Sequence, residues 1–123
     1  MRPIFPFQHL RVWQEAKDLT TEVYRLTKSF PDTEKYGIIS QIRRASTSVC
    51  CNLAEGSGRG TKPDQRRFYI IAKASLMEVM NLVVLSHDLE FLKSSDAEML
   101  MRLGKPLDMK LDKLISSRGK PLR

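Results

Sequence analysis

Arg43, Arg59, Lys62, Arg66 and Arg67 are the side chains of this chain best suited to a chemical task, and the task they suit is holding phosphate. Guanidinium groups grip phosphate oxygens through planar, charge-assisted hydrogen bonds. From Arg43 to Lys73, seven bases stand against two acids, Glu55 and Asp64, a local net charge of +5. Part of that charge has a structural use. Glu55 falls in the last turn of one expected helix, and Arg66 and Arg67 in the first turns of the next. Each opposes the helix dipole. Pairing Glu55 with Arg59, Arg66 or Arg67 relieves both conflicts and still leaves several cations for phosphate.

Other constellations do not add up to catalysis. Gly56-Ser57-Gly58-Arg59-Gly60 looks like a phosphate-cradling loop, but it lacks the following Lys-Ser/Thr and no strand precedes it. It reads as a helix C-cap and turn. His87-Asp88 is a lone pair whose offsets send the side chains to different faces, so it reads as a capping or surface feature. Ser46, Ser48, Cys50 and Cys51 have no histidine near them in sequence. Neither His9 nor His87 joins a Cys/His cluster of metal-ligand spacing. The expectation is a non-enzymatic protein without metal or cofactor.

Composition sets the frame for these residues. A chain of 123 residues buries roughly two-thirds of its unfolded surface, enough for one core. Apolar residues at 41% and charged residues at 28% describe a folded domain rather than a disordered one. The formal charge of +7 favours an anionic partner such as RNA, DNA or a membrane surface. A second basic zone runs from Arg102 to the end, where seven bases face Asp108 and Asp112, again +5. Two basic zones and an acidic remainder predict a polarised surface. Cys50 and Cys51 are adjacent and point about 100° apart on a helix, a poor geometry for a disulfide. Two reduced thiols predict a cytoplasmic protein. Pro3 and Pro6 interrupt the first residues, which lack a signal-peptide core. The segment Phe68 to Leu92 is the most apolar, yet Lys73, Glu78, Asn81, His87 and Asp88 interrupt it, so no membrane crossing is expected.

Periodicity predicts an all-α protein with helices over about 8–29, 34–56, 62–91 and 95–116. An N-terminal arm of residues 1–7 and a mobile basic tail of residues 117–123 flank them. The first helix carries Val12, Ala16, Leu19, Val23, Leu26 and Phe30 on one side and stops at Pro31. Thr61-Lys62-Pro63-Asp64 supplies a cap, a first-turn proline and an acid for the third. Ser95 with Glu98 has the capping-box spacing for the fourth. Leucines keep helical phase across Pro106, which predicts one kinked helix. Short connections predict an antiparallel up-down four-helix bundle forming a single domain.

Two helices carry a second face. In the second, Ile38, Ile42, Ala45, Val49 and Leu53 share one stripe, and Gln41, Arg44, Ser48, Asn52 and Glu55 form a polar stripe beside it. In the third, Phe68, Ile71, Ala72, Val79, Leu82 and Leu89 make one apolar face. Ile70, Met77 and Val84 lie nearly opposite, with Tyr69, Met80 and Phe91 nearby. A bundle helix needs one apolar stripe. The second predicts either a subunit interface or shielding by the arm residues Ile4 to Phe7, and self-association is the reading favoured by patch size. The interface candidates are therefore Gln41, Arg44, Ser48, Asn52, Glu55, Ile70, Met77 and Val84.

Val12-Trp13, Ala16, Leu19, Val23-Tyr24, Thr27, Phe30-Pro31, Glu34, Tyr36-Gly37, Gln41 to Ala45, Ser48, Asn52 and Ala54-Glu55-Gly56 with Arg59 also form a pattern. It resembles the bacterial four-helix-bundle proteins known as intervening-sequence proteins of the 23S ribosomal RNA gene, sometimes labelled S23 ribosomal proteins. The match spans nearly the whole chain. The resemblance implies a four-helix protomer assembled as a ring-like homopentamer. It also implies a distant relation to the accessory protein of diversity-generating retroelements, a basic pentamer that binds nucleic acid and a reverse transcriptase. It supplies no catalytic residues. The chain departs from the pattern at Cys50-Cys51 and at Ala74-Ser75, where many relatives have Gly-Ser and closer helix packing is possible. The functional expectation is an oligomeric bundle that binds RNA or DNA through a basic surface. The alternative is a protein-interaction scaffold without a nucleic-acid role.

Overall fold

Apolar residues three and four apart can leave water only if their helices face one another, and four such stripes close around one core here. The computed structural model describes residues 1–119. Its helices are α1 (Arg11–Thr27), α2 (Ile38–Ser57), α3 (Lys62–Asp88) and α4 (Ser94–Ser116), and among the described residues every other regular element is a short 3-10 turn. The expected stripe of α1 is buried from Val12 to Leu26, with Phe30 behind it. That of α2 is buried from Ile38 to Leu53. Leu76, Val83, Leu100, Leu107 and Leu111 complete the centre.

Helix ends differ from the sequence reading in ways local chemistry explains. The first segment does not begin at residue 8. Pro6–His9 forms a 3-10 turn, in which the Gln8 side chain accepts hydrogen bonds from the N–H groups of Ile4 (2.8 Å) and Phe5 (2.9 Å). A second such turn, Asp32–Glu34, delays α2 to Ile38. The Thr61 cap forms as expected, its hydroxyl accepting from the Asp64 N–H at 3.4 Å. α3 stops at Asp88, earlier than residue 91, because Glu90 turns into the left-handed region (φ 66°). The Phe91 N–H then reaches Ser86 O (2.9 Å) and the Glu90 N–H reaches His87 O (3.0 Å), the paired bonds of a Schellman end. The capping box at Ser95 and Glu98 does not form. Lys93 is the cap residue and Ser95 lies inside the helix, which draws Glu98 toward Arg102 instead (3.9 Å). α4 runs unbroken through Pro106.

The helices pack as α1–α2, α2–α3, α3–α4 and α4–α1, with no diagonal contacts among the described residues. This is the up-down bundle. α2 and α3 share the largest interface. They approach closely at Gly56, where a Cβ would stand 2.9 Å from Phe68 Cβ and 2.8 Å from Tyr69 Cε1. Gly104 plays the same part between α4 and Met80 of α3. Ion pairs tie the outer edges together. Lys110 reaches Glu15 (2.6 Å), and Lys73 bonds both Asp108 (3.1 Å) and Asp112. The hydrogen bond to Asp112, helped by Asp108, holds the Lys73 ammonium above the usual lysine range against the opposing effect of burial.

Among the described residues, α3 alone is long and apolar enough to cross a bilayer by composition. Tyr69, Ala72, Leu76, Val79 and Val83 use that hydropathy inside the bundle, each 1% exposed or less. Ile70, Met77 and Val84 lie to one side of their arc, about 120° from its centre, and remain exposed (41, 43 and 45%). Ile71 and Leu89 do not belong to the buried face. They sit at its margin and are also open to solvent, whereas Tyr69 turns inward. The N-terminal arm does not shield this surface. Its turn packs on α1 and α2, with Phe7 edge-on to Trp13 at 5.0 Å. Ala74 is exposed on the outer side, so the alanine leaves packing inside the bundle unchanged. The start of the expected tail is held: Arg118 donates to Gln65 Oε1 at 2.7 Å. Residues 120–123 lie outside the described residues.

Gly56→Ala tests the α2–α3 approach. Alanine returns about 1 kcal/mol of helix propensity, but overpacking costs about 1–3 kcal/mol. Phe68 Cβ moves only with the backbone and the Tyr69 ring is buried, so the larger cost applies. The variant is expected to lower the urea midpoint. Gly104→Ala is expected to cost less, because the flexible end of Met80 can swing aside.

Candidate nucleic-acid interface

Up-down packing puts the C-terminal ends of α2 and α4 beside the N-terminal ends of α1 and α3. One end of each basic zone therefore reaches the same pole, while Arg43, Arg44 and Arg102 lie toward the other. Arg118, just past α4, sits against Gln65 of α3 and over the Tyr69 ring, 5.8 Å from its centroid. Arg59, Lys62, Arg66 and Arg67 gather at the turn between α2 and α3. At the opposite pole lie Asp32, Glu34, Asp88, Glu90, Asp96 and Glu98, the acidic remainder.

The arrangement at the basic pole is specific. Phe68 lies beneath two guanidinium groups, Arg59 at 4.5 Å and Arg67 at 4.6 Å from the ring centroid. Asp64 bonds to Arg67 (3.0 Å) and approaches Arg59 (3.6 Å). Glu55 takes Arg59 (2.9 Å), which selects one of the three pairings open to it. Two acids thus orient two arginines over an aromatic face. They balance that pair of charges and leave Lys62, Arg66 and Arg118 in excess. Lys62 is exposed in the first turn of α3. Arg66 Nε is buried without a hydrogen-bond partner. An unmet buried donor of this kind costs about 1–3 kcal/mol, a cost removed when the side chain turns out toward an anion.

Arg43 does not join this cluster. It lies on the α1 side of α2, donates from Nε to Thr27 Oγ1 (2.9 Å) and stacks on Tyr24 at 4.7 Å. The polar stripe of α2 divides. Gln41, Arg44 and Glu55 are exposed. Ser48 is used inside the chain, sharing a 2.8 Å hydrogen bond with Ser75 of α3, and Asn52 donates to the Ser48 hydroxyl at 3.0 Å. The stripe therefore runs along the α2–α3 seam, whereas Val84 of the exposed row on α3 lies on the α4 side, beside Ala97 and Met101.

The sequence reading missed a contact at the acidic pole. His87 and Asp88 are bonded to each other (Nδ1 to Oδ1, 3.3 Å), and His87 Nε2 lies 3.0 Å from Ser94 Oγ. The order is that of a Ser-His-Asp triad. The acid of such a triad is buried to hold the imidazole, but Asp88 is 66% exposed. Here the three side chains tie the start of α4 to the end of α3. The cysteines are free, Cys50 half-buried and Cys51 exposed. Among the described residues no group of His, Cys, Asp or Glu has metal-binding geometry.

An all-α up-down bundle with one basic pole and one unpartnered apolar helix face defines the class of protein. The chain belongs to the 23S rRNA-intervening sequence protein family, whose model matches residues 8–113. It is similar in fold to a crystal structure from Bacteroides thetaiotaomicron described as a protein of unknown function from the S23 ribosomal protein family. That likeness has a TM-score of 0.78 and 18% identity, and covers 85% of this chain and 97% of the other. Among curated proteins none matches the chain.

Burial pushes the Cys50 thiol above its usual range, and the hydrogen bond from Thr20 only partly offsets this. A raised value means less thiolate at a given pH. Iodoacetamide at pH 8 is expected to alkylate Cys51 several-fold faster than Cys50, read by peptide mass spectrometry. Equal rates would show that the α1–α2 seam opens freely.

Proposed function

We propose that this protein is a cytoplasmic, non-enzymatic, oligomeric helical bundle that binds RNA or DNA through its basic pole. The observation that supports this most is the cluster at the α2–α3 turn, where Arg59 and Arg67 are oriented over Phe68 while Lys62 and Arg66 carry no acid partner. Phosphate contacts of this type give affinity with weak sequence preference and strong salt dependence. The family name, which refers to an intervening sequence in 23S rRNA, agrees with a nucleic-acid setting.

Self-association follows from the face of α3. Ile70, Met77 and Val84 stand exposed in one row, and Met101 and Met109 of α4 are exposed as well. Water contact with so much apolar surface is relieved by a second copy. The number five rests on the family resemblance. Each added copy brings another basic pole, and linked weak sites bind more tightly through effective concentration.

The expected result of changing Arg66 and Arg67 together to alanine is weaker binding to mixed RNA. The slope of log affinity against log salt should flatten by about two. An unchanged slope removes both residues from the site. Met77→Asp is expected to reduce the particle mass in light scattering to that of a single chain. A second reading, a protein-interaction scaffold, is favoured by the acids already paired with Arg59 and Arg67. It predicts intact assembly with no RNA binding even in dilute buffer.

A further inference from the structure

The strongest unassigned feature lies away from the basic pole, in the groove between α1 and α2. Trp13, Lys17, Thr20 and Tyr24 of α1 and Lys28 at its C-cap recur every three or four residues and form a single outward row. They line a space of about 640 Å³ with Cys50 of α2, and Arg43 and Thr47 of α2 reach the row through Tyr24. Among the described residues, none of those lining it is acidic. Of the three acids of α1, Glu15 bonds Lys110 and Glu22 bonds Arg25, and Asp18 is not among the residues that line the groove.

Each aromatic ring in the groove carries its own cation. Lys17 Nζ is 5.7 Å from the Trp13 ring centroid, and the Arg43 guanidinium is 4.7 Å from that of Tyr24. Phe7 of the N-terminal arm braces Trp13 from the side, edge-on. Tyr24 is 40% exposed, whereas its neighbours Val23 and Leu26 are buried. Its ring stands at the surface in a row of cations rather than in the core. Lys28 extends the row beyond Tyr24 with no ion-pair partner among the described residues.

We infer that the α1–α2 groove is a binding site for single-stranded nucleic acid, with bases stacking on Trp13 and Tyr24 and phosphates held by Lys17, Lys28 and Arg43. The pairing of a flat aromatic face with a nearby cation matches one nucleotide, which offers a flat base and an anion a short distance apart. A duplex keeps its bases stacked on one another and offers only its phosphates, so it gains nothing from the rings. The inference rests on the reading of the protein as a nucleic-acid binder, but it places the stacking site on a different face from the α2–α3 turn.

Trp13 is the one tryptophan of the chain, so its fluorescence reports on this groove directly. Full-length protein is titrated with oligo(dT), with oligo(U), with a duplex of the same length and with poly-glutamate. Both single strands are expected to quench Trp13, and the duplex and poly-glutamate to leave it nearly unchanged. Tyr24→Ala, at an exposed position, is expected to weaken oligo(dT) binding about tenfold, and Lys17→Ala with Lys28→Ala to reduce its salt slope. Circular dichroism confirms that these variants fold. Equal quenching by poly-glutamate or by the duplex overturns the inference, since charge alone would then explain the response. Binding that is lost in the Arg66→Ala, Arg67→Ala variant, with Trp13 silent and Tyr24→Ala without effect, also overturns it while leaving the basic-pole reading intact. Absence of binding to any nucleic acid removes both.

Discussion

The contact at Gly56 is the constraint on which the rest of the architecture depends. With no side chain there, the end of α2 comes down onto Phe68 and Tyr69 of α3. That approach sets the depth at which the two helices mesh. It also positions everything along their seam. Arg59, one turn past Gly56, lands beside Asp64 and over Phe68. Two turns before it, Ser48 meets Ser75. A larger residue at Gly56 would push both the arginine cluster and the serine bridge out of register.

Charge is organised by the same topology. Each basic zone is ordinary on its own, and the helices carrying them are antiparallel. Antiparallel α3 and α4 put the start of one beside the end of the other, so Arg118 joins the Arg59–Arg67 cluster at one pole, and six acids from Asp32 to Glu98 stand at the opposite one. Like charges held that close repel one another. Glu55 and Asp64 offset part of the repulsion while orienting the arginines they pair with. The α1–α2 groove belongs to a different face, where aromatic rings rather than carboxylates hold the cations.

How far the chain could be read without coordinates depends on how local each signal was. The stripes of α1 and α2, the Thr61 cap and the continuity of α4 across Pro106 follow from neighbours within a few residues, and they emerged as read. Of the three pairings open to Glu55, the one with Arg59 formed, because a spacing of four residues suffices for it. Signals of similar strength misled where two local solutions competed. Ser95 has a capping-box partner, yet the chain enters α4 two residues earlier because the Schellman turn at Glu90 sets the path. Ile71 and Leu89 have the right character for the core, but they sit at the edge of an arc whose centre is fixed by the neighbouring helices.

Sequence alone determined that this is a basic, four-helix protein with more apolar helix than one protomer covers. Those properties depend on residue type and on the repeat of a single helix. Tertiary structure decided which cations act together. Arg43 was separated from Arg59 and committed to Tyr24 and Thr27, Arg118 was brought to the α3 start from more than fifty residues away, and Trp13 and Tyr24 were aligned with a wall supplied by α2. Helical periodicity says which side chains share a face, but which faces meet is settled by packing the core, and only that step turns a list of charges into a surface.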